Sequence, residues 1–161
     1  LRYRAHFKEA EMKKLKRILL VEDDPKDIEL TLAALGEHNL ANEVAVARDG
    51  VEALDYLCRR GSFAQRPPGN PVVIMLDLKM PRMDGVQVLG QIKAQEQLRL
   101  IPVVVLTSSR ESLDLEECYR LGVNAYVVKP VRFFEFVDAV KQTGMFWALI
   151  NQPPPDRMPE E

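Results

Sequence analysis

An α/β fold with a doubly wound, five-stranded parallel sheet is predicted by three features of this 161-residue sequence. Five short, β-branched apolar runs recur along the chain, and helix-compatible segments separate each from the next. Two of the runs, "VVIML" and "VVVL", are apolar throughout rather than alternating. A strand that is apolar on both faces has to be covered on both, which a parallel sheet between two layers of helices provides. The strands return about every 22 to 30 residues, the length of a right-handed strand–helix–strand crossover.

The elements follow in order. "RILLVE" from Arg17 is the first strand and ends in Glu22-Asp23. Asp24 and Pro25 read as the N-cap and first residue of a helix carrying Ile28, Leu30, Leu32 and Leu35, which stops near Gly36. "EVAVA" from Glu43 is the weakest strand and suits a sheet edge, and a second helix is expected from Val51 to Arg60. "PVVIMLD" from Pro71 ends on Asp77, and Asp84-Gly85 reads as the turn that opens a third helix from Val86 to Glu96. "PVVVLTS" from Pro102 leads through Thr107-Ser108 to a helix over Ser112 to Leu121. "NAYVVKP" from Asn124 ends in Lys129-Pro130 before a last helix from Phe133 to Thr143. With the second strand at the edge the order is 2-1-3-4-5, and the winding reverses between strands 1 and 3. Open α/β sheets bind ligands outside the carboxyl ends of their strands at that reversal.

Length and composition bound the function. The chain suits one domain with a substantial core. A composition of 47% hydrophobic and 29% charged residues with a formal net charge of -2 is that of a globular protein with no overall drive toward nucleic acid or anionic membrane. No apolar stretch approaches the ~20 residues that span a bilayer and no secretory leader is visible, so a cytoplasmic protein is expected. Cys58 and Cys118 lack metal-ligand spacing and read as reduced cysteines in helices. Residues 1–16 read as an N-terminal extension, with Met12 as an alternative start and Lys13, Lys14, Lys16 and Arg17 as a solvated basic lead-in. Residues 17–144 form the domain and 145–161 a tail with a proline run.

The strand tips carry the chemistry. Strand 1 ends in two acids, strand 3 in Asp77, strand 4 in Thr107-Ser108 and strand 5 in Lys129-Pro130, so acids, hydroxyls and an ammonium converge on one crevice. Singly each has an ordinary explanation: Asp24 caps a helix, Thr107 is a strand-end hydroxyl, Tyr126 is core. Together, Asp23 and Asp77 with backbone carbonyls supply the hard oxygen donors that Mg²⁺ prefers, and clustered carboxylates favour a cation. With that charge screened, Asp77 can act as a carboxylate nucleophile toward a phosphoryl group, assisted by the Lys129 ammonium and the Thr107 hydroxyl.

The set "LLVEDDP", "MLDLKMPRMDG", "VVLTSS" and "AYVVKP", in this order and spacing, resembles the receiver domain of two-component response regulators over approximately Leu15 to Gly144. The resemblance implies the flavodoxin-like (βα)5 fold, with the strand order 2-1-3-4-5 that chemotaxis receivers share. It implies that Glu22 and Asp23 are the acidic pair, Asp77 the phosphoacceptor, Thr107 the switch hydroxyl, Tyr126 the switch aromatic and Lys129 the phosphate-pairing lysine. Lys79 would lend its backbone carbonyl to Mg²⁺ beside Glu22, Asp23 and Asp77. Lys79, Ser108, Ser109 and Pro130 would flank the phosphoryl group, with Pro130 following a cis peptide. Lys79, two residues after Asp77, departs from the smaller or amide residues common there. By family analogy it and Ser109 tune how fast the phosphoryl group hydrolyses.

Only 32 residues follow Lys129, enough for one helix and a tail, so output by protein–protein binding is expected in place of an effector domain. The segment "QTGMFWALINQPPP" and the long loop "GSFAQRPPGNP" resemble the stand-alone regulators that partner phytochrome-type sensor kinases and related hybrid kinases. In the last helix Phe133, Phe136, Val137 and Val140 fit one buried stripe, leaving Phe134, Phe146 and Trp147 as surplus apolar surface for a homodimer or for kinase docking. The expected phosphodonor is a histidine on a partner kinase, because His6 and His38 are not placed to serve. A downstream phosphotransfer protein would fit a relay. The chain is read as a signalling phosphoacceptor whose only catalysis is its own phosphotransfer and autodephosphorylation. An aspartyl-phosphate hydrolase is disfavoured, since Lys79 stands where its second acid belongs, and no phosphate-binding glycine loop follows strand 1. A phosphorylation-independent adaptor remains as the third alternative.

Overall fold

The computed structural model describes residues 17–37, 40 and 44–155. The N-terminal extension, His38, Glu43 and the end of the tail lie outside the described residues. Five strands, β1 (Ile18–Val21), β2 (Val44–Ala47), β3 (Val73–Leu76), β4 (Val103–Thr107) and β5 (Ala125–Val128), pair in parallel in the order β2-β1-β3-β4-β5. The register sets Ile18 beside Val44 and Val73, Leu76 beside Val105, and Thr107 beside Val128, so the carboxyl ends of β1, β3, β4 and β5 share one edge.

Side chains alternate across a strand, and here both faces are apolar. Leu19, Val21, Ile74, Leu76, Val103 and Val105 face one core layer, shared with α2 (Gly50–Cys58), α3 (Gly85–Ala94) and α4 (Ser112–Leu121). Ile18, Leu20, Val73, Met75, Val104 and Leu106 face the other, covered by α1 (Pro25–Gly36) and α5 (Phe133–Met145). The two layers explain why the central runs of the sequence do not alternate.

The helix starts obey local chemistry. Asp24 caps α1 by accepting from the amides of Lys26 and Asp27, with Pro25 at the first helical position. Asp84 and Gln87 form a reciprocal capping box at the start of α3. α2 stops at Cys58, short of the expected Arg60, because Arg59 turns left-handed at φ 56° and closes the helix through Tyr56 O. The long loop after α2 folds around Arg66. Its guanidinium donates to the carbonyls of Tyr56, Leu57, Pro67 and Gly69 and lies 4.3 Å from the centroid of the Tyr56 ring.

α5 departs furthest from expectation. Its buried face is Phe136, Val140 and Gly144, and the chain continues as a π-helical turn over Phe146–Ile150 that buries Ala148. A four-residue step along one face joins these positions. Gly144 permits close approach to α1, since a Cβ there would overlap Leu35. Phe133, expected in the stripe, is 54% exposed: it opens the first turn of α5, and the buried face begins three residues later at Phe136. Trp147, expected as surplus surface, packs partly against the α1–α5 core. No helix among the described residues is long and apolar enough to cross a membrane.

Candidate functional site

The site is assembled at the carboxyl edge of β1, β3, β4 and β5. β1 delivers Glu22 and Asp23 in the residues after Val21, and the Glu22 amide donates to Ala47 O, which continues the ladder with β2. β3 delivers Asp77, whose amide donates to Val21 O. β4 ends on the fully buried Thr107, and the Lys129 amide donates to Thr107 O at 2.7 Å, carrying the pairing with β5 one residue further. Sheet hydrogen bonds thus hold the backbone of four of the candidate positions.

Glu22, Asp23 and Asp77 bring carboxylate oxygens within 4.8 Å of one another. Glu22 and Asp77 are buried, at 3% and 7% exposure, so their charge is poorly screened by water. Asp77 Oδ1 accepts from the Leu78 amide at 2.8 Å, while Oδ2 faces the Lys129 ammonium at 3.4 Å. Lys129 is the hub. It donates to Glu22 Oε2 at 2.6 Å and to Asp27 Oδ2 at 2.7 Å.

Burial pushes the Glu22 carboxyl up to about 7, the Lys129 hydrogen bond opposing and the neighbouring Asp77 adding to the rise. Burial also works against the Lys129 ammonium, but Asp27 and Glu22 outweigh it and hold the group above the ordinary lysine range. One ammonium among four carboxyl groups, Glu22, Asp23, Asp27 and Asp77, leaves the cluster net negative. Hard oxygen donors gathered with excess negative charge fit a divalent cation, with Glu22, Asp23 and Asp77 as the side chains positioned to hold it.

Around this centre lie the other residues that the sequence singled out. Thr107 Oγ1 accepts from the Ser109 amide at 3.3 Å. Tyr126, half-buried on β5, donates its hydroxyl to Ser109 O at 3.1 Å, so the hydroxyl residue and the aromatic meet through Ser109. Ser108 is exposed and Ser109 is buried. The side chain of Lys79 extends to Asp114 Oδ2 on α4, 3.2 Å away. The Lys129–Pro130 bond is trans, like every peptide bond among the described residues, which corrects the expected cis bond. Trans is the intrinsic preference of an X–Pro bond by about 0.5–1 kcal/mol.

The β3–α3 loop is fixed from two sides. The amide of Gly85 donates to Leu78 O at 2.8 Å, and a Cβ on Gly85 would overlap the Asp77 carbonyl and lie 2.7 Å from Leu78 Cα. Arg82, held at φ 62°, donates through Nε and an η nitrogen to Asp49 Oδ2, and Asp49 is also the N-cap of α2. Sequence reading missed Asp27, Asp49, Arg82 and Asp114. Asp27 had one available signal, an acid in the first turn of a helix that begins at a functional strand tip.

The chain matches the family model of the response regulator receiver domain over residues 18–141. It is 37% identical over 132 residues to the response regulator Rcp1 of Synechocystis sp. (strain ATCC 27184 / PCC 6803 / Kazusa), covering 82% of this chain and 88% of that one. A crystal structure of the Mn(2+)-bound form of Rcp1 superposes with a TM-score of 0.80 at 36% identity, covering 86% of this chain and 98% of the other. The phosphorylated cyanobacterial phytochrome response regulator RcpA gives a TM-score of 0.81 at 38% identity, with 86% and 98% covered. The bacteriophytochrome response regulator AtBRR is 60% identical, with a TM-score of 0.67 and 84% and 97% covered. A five-stranded parallel sheet in this order, an acidic cluster at its carboxyl edge and a family match over most of the chain agree: this protein belongs to the response regulator receiver domain family.

Proposed function

We propose that this chain is a stand-alone response regulator that accepts a phosphoryl group on Asp77 from a phosphohistidine of a sensor kinase. The observation that carries this reading is the convergence of Glu22, Asp23, Asp77 and Lys129 at the sheet reversal. In the transfer an Asp77 carboxylate oxygen forms the new P–O bond as the donor's P–N bond breaks, and the imidazole leaves with a proton. Lys129 supplies positive charge beside the acceptor, and the Leu78 amide holds the second carboxylate oxygen. Mg²⁺ would be held by Glu22, Asp23, Asp77 and the Lys79 carbonyl, and when bound it supplies charge neutralisation for the transferring group.

The switch runs through Thr107 and Tyr126. A phosphoryl group on Asp77 draws the Thr107 hydroxyl inward. Thr107 and Tyr126 both bond Ser109, so the β4–α4 loop and β5 respond together. Ser108 and Pro130 complete the flanks of the phosphoryl position.

The output is protein–protein contact in the cytoplasm. Val131, Phe134 and Ile150, at 94%, 82% and 69% exposure, leave apolar surface at both ends of the last helical segment. A homodimer built on this helix and the adjoining α4 surface covers it. The partner kinase is phytochrome-type, a reading supported by the likeness to RcpA and AtBRR. A downstream phosphotransfer protein would extend the path.

The test is incubation with Mg²⁺ and acetyl phosphate, followed by intact mass and light scattering for wild type and Asp77→Asn. Wild type is expected to gain one phosphoryl group that Asp77→Asn does not, with a rise in dimer. Unmodified wild type that also fails to bind beryllofluoride would favour the adaptor alternative. A monomer under every condition would remove the dimer.

A further inference from the structure

We propose that Asp114 is a positioning residue that sets the lifetime of the phosphoryl group on Asp77. It does so by holding Lys79 and Ser109 in one bridge across the tips of β3 and β4. This inference rests on the reading of Asp77 as the phosphoacceptor and extends it to a residue outside the strand-tip set.

The geometry is specific. Lys79 lies two residues past Asp77 and Ser109 two past Thr107, and β3 and β4 are neighbours in the sheet. Their side chains converge on one atom. Asp114 Oδ2 accepts from Ser109 Oγ at 2.5 Å and pairs with Lys79 Nζ at 3.2 Å. Ser109 is buried, and its own amide holds Thr107 Oγ1, so the bridge is connected to the hydroxyl beside the acceptor. The Ser109 hydroxyl bond holds the Asp114 carboxyl below its usual range with Lys79 assisting, and Asp114 in turn raises Lys79.

Asp114 could be an ordinary acid in the first turn of α4, and the Ser109 hydroxyl does accept from the Glu111 amide at the start of that helix. Helix capping does not require Lys79, which comes from a different loop. That contact makes the bridge a strap between two strand tips. Lys79 follows Asp77 by two residues on one loop, and Ser109 on the other is bonded to Thr107. The strap thus ties together the two loops that border the acceptor, and in this proposal the attacking water approaches between them.

In that hydrolysis the water oxygen attacks phosphorus and the P–O bond to Asp77 breaks. The products are dihydrogen phosphate and the restored carboxylate. Holding the two flanking side chains together restricts the approach of water, and releasing them opens it.

The experiment measures loss of the acyl phosphate by intact mass after rapid removal of acetyl phosphate, in Mg²⁺, for wild type, Asp114→Ala, Asp114→Asn, Lys79→Met and the Asp114→Ala/Lys79→Met pair. Asp114→Ala is expected to shorten the lifetime roughly tenfold, the scale of losing one charged hydrogen bond. Asp114→Asn keeps an acceptor for Ser109 and is expected to lie between. The double variant is expected to match Asp114→Ala alone, because both changes break one bridge. A helix-capping role would lower Tm without this coupling. Wild-type lifetimes in Asp114→Ala, or effects of Asp114 and Lys79 that multiply independently, would overturn the proposal. A wild-type protein that never carries phosphate on Asp77 would overturn both this inference and the function it rests on.

Discussion

Replacing Lys129 by methionine removes the only ammonium among the described residues that reaches Glu22, Asp27 and Asp77 together, at 2.6, 2.7 and 3.4 Å. Breaking a buried ion pair by deleting one partner costs about 3–5 kcal/mol when the remaining charge cannot escape. Here it can, since burial has already pushed Glu22 up to about 7, and loss of the ammonium raises it further. Near pH 6 the variant's Glu22 takes a proton and the penalty is relieved. Near pH 8.5 the buried Glu22 must be charged or be protonated against the solvent.

The sign follows from linkage. A carboxyl whose pKa is raised in the folded state contributes stability that is full below its unfolded pKa and is lost as pH rises through the folded value. In the wild type that loss is complete a little above pH 7, and in Lys129→Met it continues to higher pH. The gap between the two should therefore widen from about pH 7 upward by as much as ~1.4 kcal/mol per pH unit and grow by about 2 kcal/mol by pH 8.5. Urea denaturation in EDTA at pH 6.5, 7.5 and 8.5 reads the gap directly. A gap that is constant with pH, or a variant more stable than wild type at pH 8.5, would refute this electrostatic reading of the cluster.

Three further outcomes are expected. Gly85→Ala forces the backbone at Asp77 and Leu78 to move, so it should cost about 3 kcal/mol, the upper end for overpacking, and also reduce acetyl phosphate labelling; normal labelling and Tm would contradict the close approach. Arg66→Met removes a guanidinium that satisfies four carbonyls and stacks on Tyr56. About 2 kcal/mol of stability should be lost in urea with labelling of Asp77 intact, and Arg66→Lys should recover less than half because an ammonium cannot reproduce the fork. Cys118 is fully buried, and burial with the nearby Asp114 and Glu117 pushes its thiol up to about 11. Iodoacetamide at pH 8 should therefore modify the half-buried Cys58 and reach Cys118 only after unfolding, and Cys118 labelling in the native protein would show that α4 opens.

The sheet was legible because its signal is local. Runs such as "VVIML" and "VVVL" declare two-sided burial, and Asp24-Pro25 and Asp84-Gly85 mark helix starts by their own chemistry. The strand-tip acids and Lys129 were legible because a strand's end is fixed once the strand is found. Asp27 and Asp114 were not. Their partners stand elsewhere in the chain, Lys129 being 102 residues from Asp27, and a helix's first turn is an ordinary place for an acid. Phe133 was misplaced for a related reason: helical periodicity assigns a face, but not how far along that face the core extends.

The most direct test is to map the modified residue. Protein phosphorylated with acetyl phosphate and Mg²⁺ is treated with borohydride, which reduces an acyl phosphate to the alcohol, and its peptides are sequenced by mass spectrometry. Conversion is expected at Asp77 alone, with Asp23 and Asp27 unchanged. Conversion at either of those residues with Asp77 intact, or at no aspartate, would contradict the assignment of Asp77 as the phosphoacceptor.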